Sequence, residues 1–336
     1  MFTFPNTNLT WLQSNTIFVT KHGSHAYGTN LPSSDEDFKG IVIPPKEYFL
    51  GFNKKFEQTE SRNPDIVLYD IRKFFRLAAD CNPSIIEVLF TDPSDWILEG
   101  ESKAYLSFGK IYDEKESFLS RKAKHTFSGY AISQLKRIKT HKRWLLKPLS
   151  KPPTRQDYGL KENREVPKEQ LGAAEASILR ELDLSGGVPE FSKLETIAHK
   201  LGYDDNFIDY LHREQKYRQA HQEWTQYCTW KEQRNPARAK LEAKFGYDTK
   251  HAMHLVRLLR MCREILEDGQ VLVKRPDAKE LLEIRAGAWN YEDLMTWAEK
   301  QDQELVEVEK RSKLPKSPDR EKLNNLCINI VKELLF

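Results

Sequence analysis

Alternating apolar positions near the start of the chain predict three short β-strands. A β-branched and aromatic run covers residues 17–20, and a second apolar run covers residues 38–43. The polar segment between them is rich in glycine, asparagine and proline, which is typical of a turn. A third run, residues 65–69, alternates polar and apolar side chains as a half-buried strand does. The chain therefore begins with a small β-sheet.

A helix is predicted directly after the third strand. Its apolar side chains recur with the 3.6-residue period of a helix, at Ile71, Phe74, Phe75 and Ala78. Asp70 stands immediately before them, where its carboxylate is able to cap the helix N-terminus. Asn82 occupies the same position before a second short helix over residues 85–90. In that second helix Glu87 is expected on the solvated surface, with the orientation of a metal-site residue as the alternative.

The pattern changes after residue 117, where long helices dominate and strand patterns are few. One of these helices is predicted over residues 205–234. A chain of 336 residues has room for two domains. The prediction is an α+β chain, with a small mixed-sheet domain at residues 1–115 and a larger, mostly α-helical domain at residues 116–336 that binds substrate or nucleotide.

Two carboxylates stand where the second strand is predicted to begin. Asp35 and Asp37 would share one face of a strand, because side chains repeat there with period two, and the two charges would repel each other. Mg²⁺ relieves such repulsion and is typically bound by one or two carboxylates together with substrate phosphates. Before them, Gly23 permits close approach of the backbone to a ligand, and Ser24 offers a hydroxyl to a phosphate. This spacing indicates a nucleoside-triphosphate site, although ordinary surface loops carry similar residues.

These motifs resemble a known superfamily. Gly23-Ser24, ten intervening residues and Asp35-x-Asp37 form a pattern similar to the signature of DNA polymerase beta-type nucleotidyltransferases. The flanking blocks Gly-Ser-His-Ala-Tyr-Gly, Ser-Asp-Glu-Asp-Phe-Lys-Gly and Pro-Pro-Lys-Glu-Tyr-Phe-Leu-Gly resemble the predicted nucleotidyltransferases found beside RNA ligases. Further similar blocks at residues 246–260, 275–277 and 281–287 extend the resemblance over nearly the whole chain.

The resemblance implies two-metal nucleotidyl transfer with release of pyrophosphate. Asp35 and Asp37 would hold Mg²⁺, or Mn²⁺, on the triphosphate of an NTP. In such enzymes the third carboxylate lies on the strand after the Asp-x-Asp strand, which favours Asp65. Aspartate is also disfavoured inside strands, so Asp65 lacks an evident structural reason, whereas Asp70 has one as a helix cap. Asp70 stays open as the alternative.

A second chemical cluster lies on a helix predicted after residue 248. Lys250, His254 and Arg257 recur at i, i+4 and i+7 and form one polar stripe. The predicted contacts to the nucleotide combine this stripe with three residues of the first motif: Gly23, Ser24 and Tyr27. A plain polar helix face is the alternative. His251 and His254 are spaced as zinc ligands, but no cysteine or third histidine lies at a matching spacing, so the pattern disfavours a metal there.

A basic block stands out in a chain whose formal net charge is only +3. Residues 121–155 contain eleven Lys and Arg and no Asp or Glu, which is typical of a surface that neutralises phosphates. Interleaved rings at Phe127, Tyr130 and Trp144 are able to stack on bases, although core packing is favoured for them. A solvated basic helix face is the alternative for the charges. The predicted RNA contacts are Arg121, Lys124, Lys136, Arg137, Lys139, Lys142 and Arg143.

The acceptor is predicted to be an RNA end, because of this basic block and because the resembling proteins are associated with RNA ligases. An RNA ligase in the same pathway is the partner that the resemblance implies. Two alternatives stay open. One is nucleotidylation of a protein hydroxyl, and the other is RNA binding by a catalytically silent nucleotidyltransferase fold.

The remaining composition indicates a cytoplasmic protein. The four cysteines are scattered without paired spacing, which argues against a disulfide framework or a zinc site and fits a reducing compartment. The sequence has no pattern of a signal peptide and no apolar run of membrane-spanning length. No membrane partner is therefore expected.

Overall fold

The computed structural model describes residues 8–62, 64–97, 103–184 and 191–336. The chain is 62% helical, with a small sheet of four strands near the N-terminus. The strands are β1 Thr16–His22, β2 Asp37–Val42, β3 Gln58–Arg62 and β4 Asp65–Asp70. The predicted α+β class is confirmed.

Fourteen α-helices are formed by the described residues. They are α1 Gly23–Tyr27, α2 Glu47–Leu50, α3 Ile71–Ala79, α4 Pro83–Leu89, α5 Lys103–Asp113, α6 Lys122–Leu146, α7 Lys168–Leu184, α8 Phe191–Lys200, α9 Asp205–Glu232, α10 Pro236–Phe245, α11 Thr249–Asp268, α12 Ala278–Arg285, α13 Tyr291–Arg311 and α14 Arg320–Leu335. Short 3₁₀ helices cover Pro93–Asp95, Lys115–Phe118 and Gln156–Tyr158. Among the described helices, none combines the length and the apolar character that a membrane span requires.

The sheet has the strand order β1-β2-β4-β3. Its two central strands, β2 and β4, are parallel, and the edge strands β1 and β3 pair antiparallel with them. The three predicted strands are confirmed as β1, β2 and β4. β3 lies in a segment that lacked a strand pattern, because its sequence Gln-Thr-Glu-Ser-Arg contains no apolar residue. An edge strand tolerates such a sequence, since it has a neighbour on one side alone.

The two faces of the sheet bury different apolar clusters. Val19, Phe38 and Leu68 pack on one face, together with Leu12. Side chains on the other face, such as Phe18 and Ile41, belong to the main core. Helices α3, α4 and α5 pack against the strands on that side. Because side chains alternate along a strand, the polar residues two and four positions before Ile41 share its helix-covered face.

Local capping explains where the helices beside the sheet begin. The Asp70 carboxylate accepts a hydrogen bond from the Arg72 N–H at 2.7 Å, which confirms the predicted N-cap of α3. The Asn82 side chain accepts from the Ile85 N–H at the start of α4. The predicted helix over residues 205–234 is also confirmed, as α9.

Helix α11 lies inside the main core. Thirteen of its twenty residues are buried, so it is an interior helix rather than an amphipathic surface helix. It packs against α12 and α13. The Asp248 side chain caps its N-terminus by accepting the His251 N–H at 3.0 Å, and Gly269 ends it in the left-handed region at φ 67°.

Residue contacts divide the chain into two units. One consists of Met1–Lys142 with Lys240–Phe336, and the other of Arg143–Ala239. The second unit has its own apolar cluster, which includes Leu160, Ile178 and Leu211. The contacts therefore group the last hundred residues with the sheet. A boundary at residue 115 between two domains stays a prediction.

Candidate active site

One row of polar side chains crosses the end of the sheet. Asp37 is the register partner of His22 in β1 and of Asp65 in β4, and Asp65 in turn is paired with Arg62 in β3. Register partners project from the same face, and neighbouring strands lie about 4.8 Å apart. The two aspartates are therefore adjacent at the starts of two parallel strands. We call His22, Asp37, Asp65 and Arg62 the carboxylate row.

Charge and partial burial make Asp37 an unusual carboxylate. Burial raises its pKa, and the neighbouring charge of Asp65 raises it further, with a smaller contribution from Asp35. His22 and Lys250 oppose this rise. Asp35 and Asp65 are exposed, whereas Asp37 is half-buried. Three carboxylates thus concentrate negative charge at one end of the sheet, and a divalent cation would relieve their mutual repulsion.

Gly23 leaves the space that the Asp37 carboxylate occupies. Its backbone has φ +66°, a conformation that L side chains rarely adopt, and a Cβ at this position would overlap Oδ2 of Asp37. Ser24 follows in the first turn of α1, so the segment predicted as a turn is a five-residue helix. The glycine of the Gly-Ser motif is needed both for the backbone turn and for the acidic pair.

A hydrogen-bonded loop positions Asp35. Asp35 precedes β2 rather than lying within it, so the period-two argument for a shared strand face does not apply to this residue. In this loop the ring Nε2 of His25 lies 3.3 Å from the Ser34 carbonyl oxygen, and the Ser34 N–H donates to the Leu31 carbonyl at 2.9 Å. The loop conformation therefore places Asp35 near Asp37.

Asp70 lies at the opposite end of β4 from Asp65 and is the register partner of Val42. Its side chain is 2% exposed. One carboxylate oxygen accepts from the Arg72 N–H, and the other accepts from the Arg72 guanidinium at 2.7 Å. Both oxygens thus have structural partners, whereas Asp65 adjoins Asp37. This geometry favours Asp65 over Asp70 as a third acidic ligand.

Glu87 is buried, so its expected place on the solvated surface is wrong. It is 2% exposed and accepts a hydrogen bond from the Tyr27 hydroxyl at 2.5 Å. Arg257 forms an ion pair with Oε1 of Glu87, and the ring Nε2 of His22 lies 3.3 Å from Oε2, the oxygen that also accepts from Tyr27. Although burial opposes ionisation, Arg257 and His22 hold the pKa of Glu87 well below its usual range. No local sequence pattern indicates this ion pair, because Arg257 is 170 residues away along the chain.

The same contacts change the interpretation of two predicted nucleotide ligands. Tyr27 and Arg257 are buried, and the Arg257 guanidinium carbon lies 3.8 Å from the centre of the Tyr27 ring. They support Glu87 and, through it, His22, which lies in the carboxylate row. Direct contact of either residue with a nucleotide stays a prediction. Lys250 and His254 are half-buried, and the charge of Lys250 acts on Asp37.

Lys39 is a further candidate residue of this site, and the sequence patterns did not single it out. It follows Asp37 by two positions in β2 and therefore shares its face. Its ammonium group donates a hydrogen bond to the Ser84 hydroxyl, and burial lowers its pKa. The charges of Glu87, Asp37 and Asp65 oppose that decrease. The strand period would have found it, since Asp37 and Lys39 are separated by one residue.

The basic block pairs with acidic side chains. Of the seven predicted RNA contacts, all within the described residues, at least three form ion pairs: Lys124 with Asp302, Lys139 with Glu299 and Arg143 with Glu223. Lys142 lies over the Tyr291 ring at 4.0 Å. Phe127 and Trp144 are buried, which confirms core packing for two of the three rings, whereas Tyr130 is 45% exposed. Lys136 and Arg137 are exposed on α6, and RNA contact by the block stays a prediction.

Comparisons with known proteins cover the part of the chain that carries this site. Residues 7–150 match the model of the RNA repair pathway DNA polymerase beta family, RlaP. This part of the chain is therefore similar to that family. The matched range contains Gly23, Asp35, Asp37 and Asp65, and the predicted assignment to the polymerase beta-type nucleotidyltransferases is confirmed. Helix α11 lies outside it.

A phage protein extends the similarity beyond the RlaP match. An uncharacterized 38.9 kDa protein from the nrdC-mobD intergenic region of Enterobacteria phage T4 is 26% identical over 305 residues, which cover 84% of this chain and 86% of that protein. No solved structure matches the chain. The match to the RlaP model therefore suggests a nucleotidyltransferase connected with RNA repair.

Proposed function

We infer that this protein transfers a nucleoside monophosphate from an NTP to the hydroxyl of an RNA end. The observation that carries this proposal is the adjacent pair Asp37 and Asp65, with Asp35 and Gly23 beside it. The RNA repair description of the family supports the choice of acceptor.

The three carboxylates at this end of the sheet fit divalent cations. Carboxylate oxygens are the ligands that Mg²⁺ and Mn²⁺ prefer, and burial, together with the charges of Asp65 and Asp35, raises the pKa of Asp37. Asp35, Asp37 and Asp65 would hold these ions. When bound, they neutralise the triphosphate and stabilise the charge that develops on the attacking and leaving oxygens.

The chain itself binds and orients the reactants. Ser24 and the Gly23 backbone are suited to the outer phosphates, and Lys250 stands near Asp37 with a charge that favours a polyphosphate. The acceptor oxygen forms a bond to the α-phosphorus while the bond to the bridging oxygen of the β-phosphate breaks, and pyrophosphate leaves. We assign the proton of the acceptor hydroxyl to Asp65, whose exposed carboxylate supports this role.

RNA is favoured as the acceptor on two grounds. The family description names RNA repair, and Lys136 and Arg137 offer exposed positive charge on α6. The ion pairs formed by other members of the basic block reduce the charge left for phosphates, so the RNA surface is expected to be smaller than the sequence suggests. Nucleotidylation of a protein is the second candidate, since a hydroxyl acceptor needs the same carboxylates.

The test supplies the purified protein with Mg²⁺ or Mn²⁺, each of the four α-labelled NTPs and a mixed RNA pool. The Asp35→Asn/Asp37→Asn double variant removes two of the carboxylates, and Asp113→Asn is a matched control at an exposed position at the end of α5. Label on RNA that is lost in the double variant and kept in Asp113→Asn supports the proposal. Label on protein instead supports nucleotidylation. RNA binding without transfer of label contradicts an enzymatic role.

A further inference from the structure

Three metal-ligating side chains converge at the N-terminus of α11, beyond the carboxylate row. His141 comes from α6, Asp248 is the N-cap of α11, and His251 lies in the first turn of α11. One ligand atom of each residue lies within 4.8 Å of the other two. Two imidazoles and one carboxylate are a ligand set typical of zinc and related transition-metal ions.

The two carboxylate oxygens of Asp248 have different contacts. Oδ1 accepts the backbone N–H of His251 at 3.0 Å and caps the helix. Oδ2 lies 3.5 Å from Nε2 of His251. In a tetrahedral zinc site with bonds of about 2.1 Å, two ligand atoms are about 3.4 Å apart. The Asp248 and His251 atoms therefore already have the separation that a shared ion requires.

The third ligand, His141, comes from a different helix, α6. The His141 and His251 rings are 5.8 Å apart between centroids and inclined by 54°, and a ring nitrogen of His141 already lies within 4.8 Å of the ligand atoms of the other two residues. His141 is half-buried, whereas Asp248 and His251 are 2% and 8% exposed. The partly open side at His141 leaves a position for water as a fourth ligand, as in zinc sites with three protein ligands.

Burial gives the cluster a reason to bind a cation. A carboxylate that is almost fully removed from water is costly unless a positive charge accompanies it. A divalent ion held by both imidazoles would add positive charge beside the buried Asp248 carboxylate.

We propose that His141, Asp248 and His251 bind one divalent transition-metal ion of the zinc class, which fastens α6 to the first turn of α11. The site is separate from the carboxylate row in ligands and in preferred metal, because Mg²⁺ favours oxygen ligands. The sequence pattern pointed to His251 and His254 and found no third ligand. The structure replaces His254 with His141, which is 110 positions from His251 and therefore invisible to any spacing rule.

The position of the site links it to the proposed enzyme. Lys250 lies between Asp248 and His251 in the sequence, and its charge acts on Asp37. A metal that fixes this turn would also hold Lys250 near the carboxylate row. This consequence rests on the proposed function, whereas metal binding itself does not.

The test measures metal binding on the full-length protein without any activity assay. Wild-type protein is stripped with a chelator, dialysed against Zn²⁺ in the presence of excess Mg²⁺, and analysed for bound zinc. A parallel sample with Co²⁺ is examined for the visible absorption of a histidine-ligated ion. The variants are His141→Gln and Asp248→Asn. Asparagine is as good an N-cap as aspartate, so the second variant keeps the helix cap while it weakens the ligand.

Two matched controls define the specificity. His254→Gln removes a half-buried histidine of the same helix that is not in the cluster. Asp35→Asn/Asp37→Asn removes carboxylates of the proposed catalytic site. We expect one zinc per chain in wild type and in both controls, and a loss of about tenfold or more in zinc affinity in His141→Gln and Asp248→Asn. Circular dichroism confirms that each variant is folded.

Several outcomes would overturn the proposal. They are no zinc retained by the folded wild-type protein, equal zinc affinity in the cluster variants and wild type, or zinc lost in the Asp35→Asn/Asp37→Asn control. If zinc binds as expected but no NTP transfers its label, the metal site stands and the proposed function fails.

Discussion

The carboxylate row and helix α11 are both polar stretches in the sequence, yet the structure uses them differently. The row lies at the end of a sheet, where Asp65 stays exposed and Asp37 is half-buried. In α11, by contrast, Arg257 and His251 are buried among partners from α4, α1 and α6. An exposed carboxylate such as Asp65 stays hydrated, whereas a buried polar residue on an interior helix needs a partner inside the protein.

This difference between a sheet and an interior helix shows where sequence spacing can predict which polar residues meet. In a strand pair, register aligns whole rows, so one correct pairing of β2 with β4 brings Asp37 and Asp65 together. In the interior helix α11, the polar side chains have separate partners. Arg257 donates a hydrogen bond to Glu87, and the His251 ring lies beside the His141 ring. These partners come from distant segments and follow no common spacing.

The largest expected effect is on the rate of nucleotidyl transfer when an aspartate of the carboxylate row is replaced. Asp37→Asn should lower nucleotidyl transfer by about 10²–10⁴-fold, since metal-assisted charge stabilisation contributes several kcal/mol. Asp70→Asn should change the rate far less, because asparagine keeps the helix cap and Asp70 lies at the other end of β4. Single-turnover rates with a labelled NTP measure both. Equal losses in the two variants would contradict the assignment of Asp65 rather than Asp70.

The next effect concerns the buried partners of α11. Arg257→Met should lower the free energy of unfolding by about 3–5 kcal/mol, because it leaves the Glu87 carboxylate buried without its cation. The double variant Glu87→Gln/Arg257→Met should recover part of that loss. Urea denaturation gives the values. Additive losses would show that the two side chains do not interact and would weaken the contrast between the two regions.

A smaller effect tests the space behind Asp37. Gly23→Ala places a Cβ in the left-handed region and against Oδ2 of Asp37, so it should cost about 1–2 kcal/mol of stability and also reduce transfer activity. Gly28→Ala is the matched control. Its φ is +71°, but its added Cβ would meet only Ala278 at 3.8 Å. It should lose similar stability and keep more activity, as thermal unfolding and the transfer assay will show.

The smallest effect is on the pH dependence of stability. The folded pKa of Asp37 is raised above its unfolded value of about 3.9, so ionised Asp37 destabilises the folded protein and the penalty disappears as pH falls through the folded pKa. Asp37→Asn should therefore be more stable than wild type at neutral pH, with the advantage vanishing towards pH 4.

Mg²⁺ binding offers an independent check that ionised Asp37 destabilises the folded protein. It should raise the melting temperature of wild type at neutral pH and leave Asp37→Asn nearly unchanged. Equal melting temperatures of the two proteins across the pH range would contradict the repulsion at the row.

Much of the fold was predictable from local patterns. β1, β2 and β4 follow from apolar runs, and α3 follows from the 3.6 spacing with its Asp70 cap. β3 was missed because an edge strand without apolar residues leaves no periodic signal. The boundary predicted at residue 115 reflects a change of pattern along the chain. Contacts instead group α11 to α14 with the sheet, which local patterns do not encode.

Within the candidate site, the sequence determined the chemistry of the acidic motif. Gly23, Asp35 and Asp37 are close together in the chain, and their spacing with the flanking blocks was enough to identify the family that the comparison confirmed. Short-range geometry of a turn and a strand depends mainly on the residues that form it, so such motifs can be recognised directly.

Tertiary structure alone decided which polar residues work together at a distance. It buried Glu87 with Arg257, moved Tyr27 and Arg257 into supporting positions, and joined His141 to Asp248 and His251. The physical reason is that a buried charge takes whichever partner the packed core brings within hydrogen-bond distance. That partner is set by how helices pack on the sheet, and no pattern along the chain specifies it.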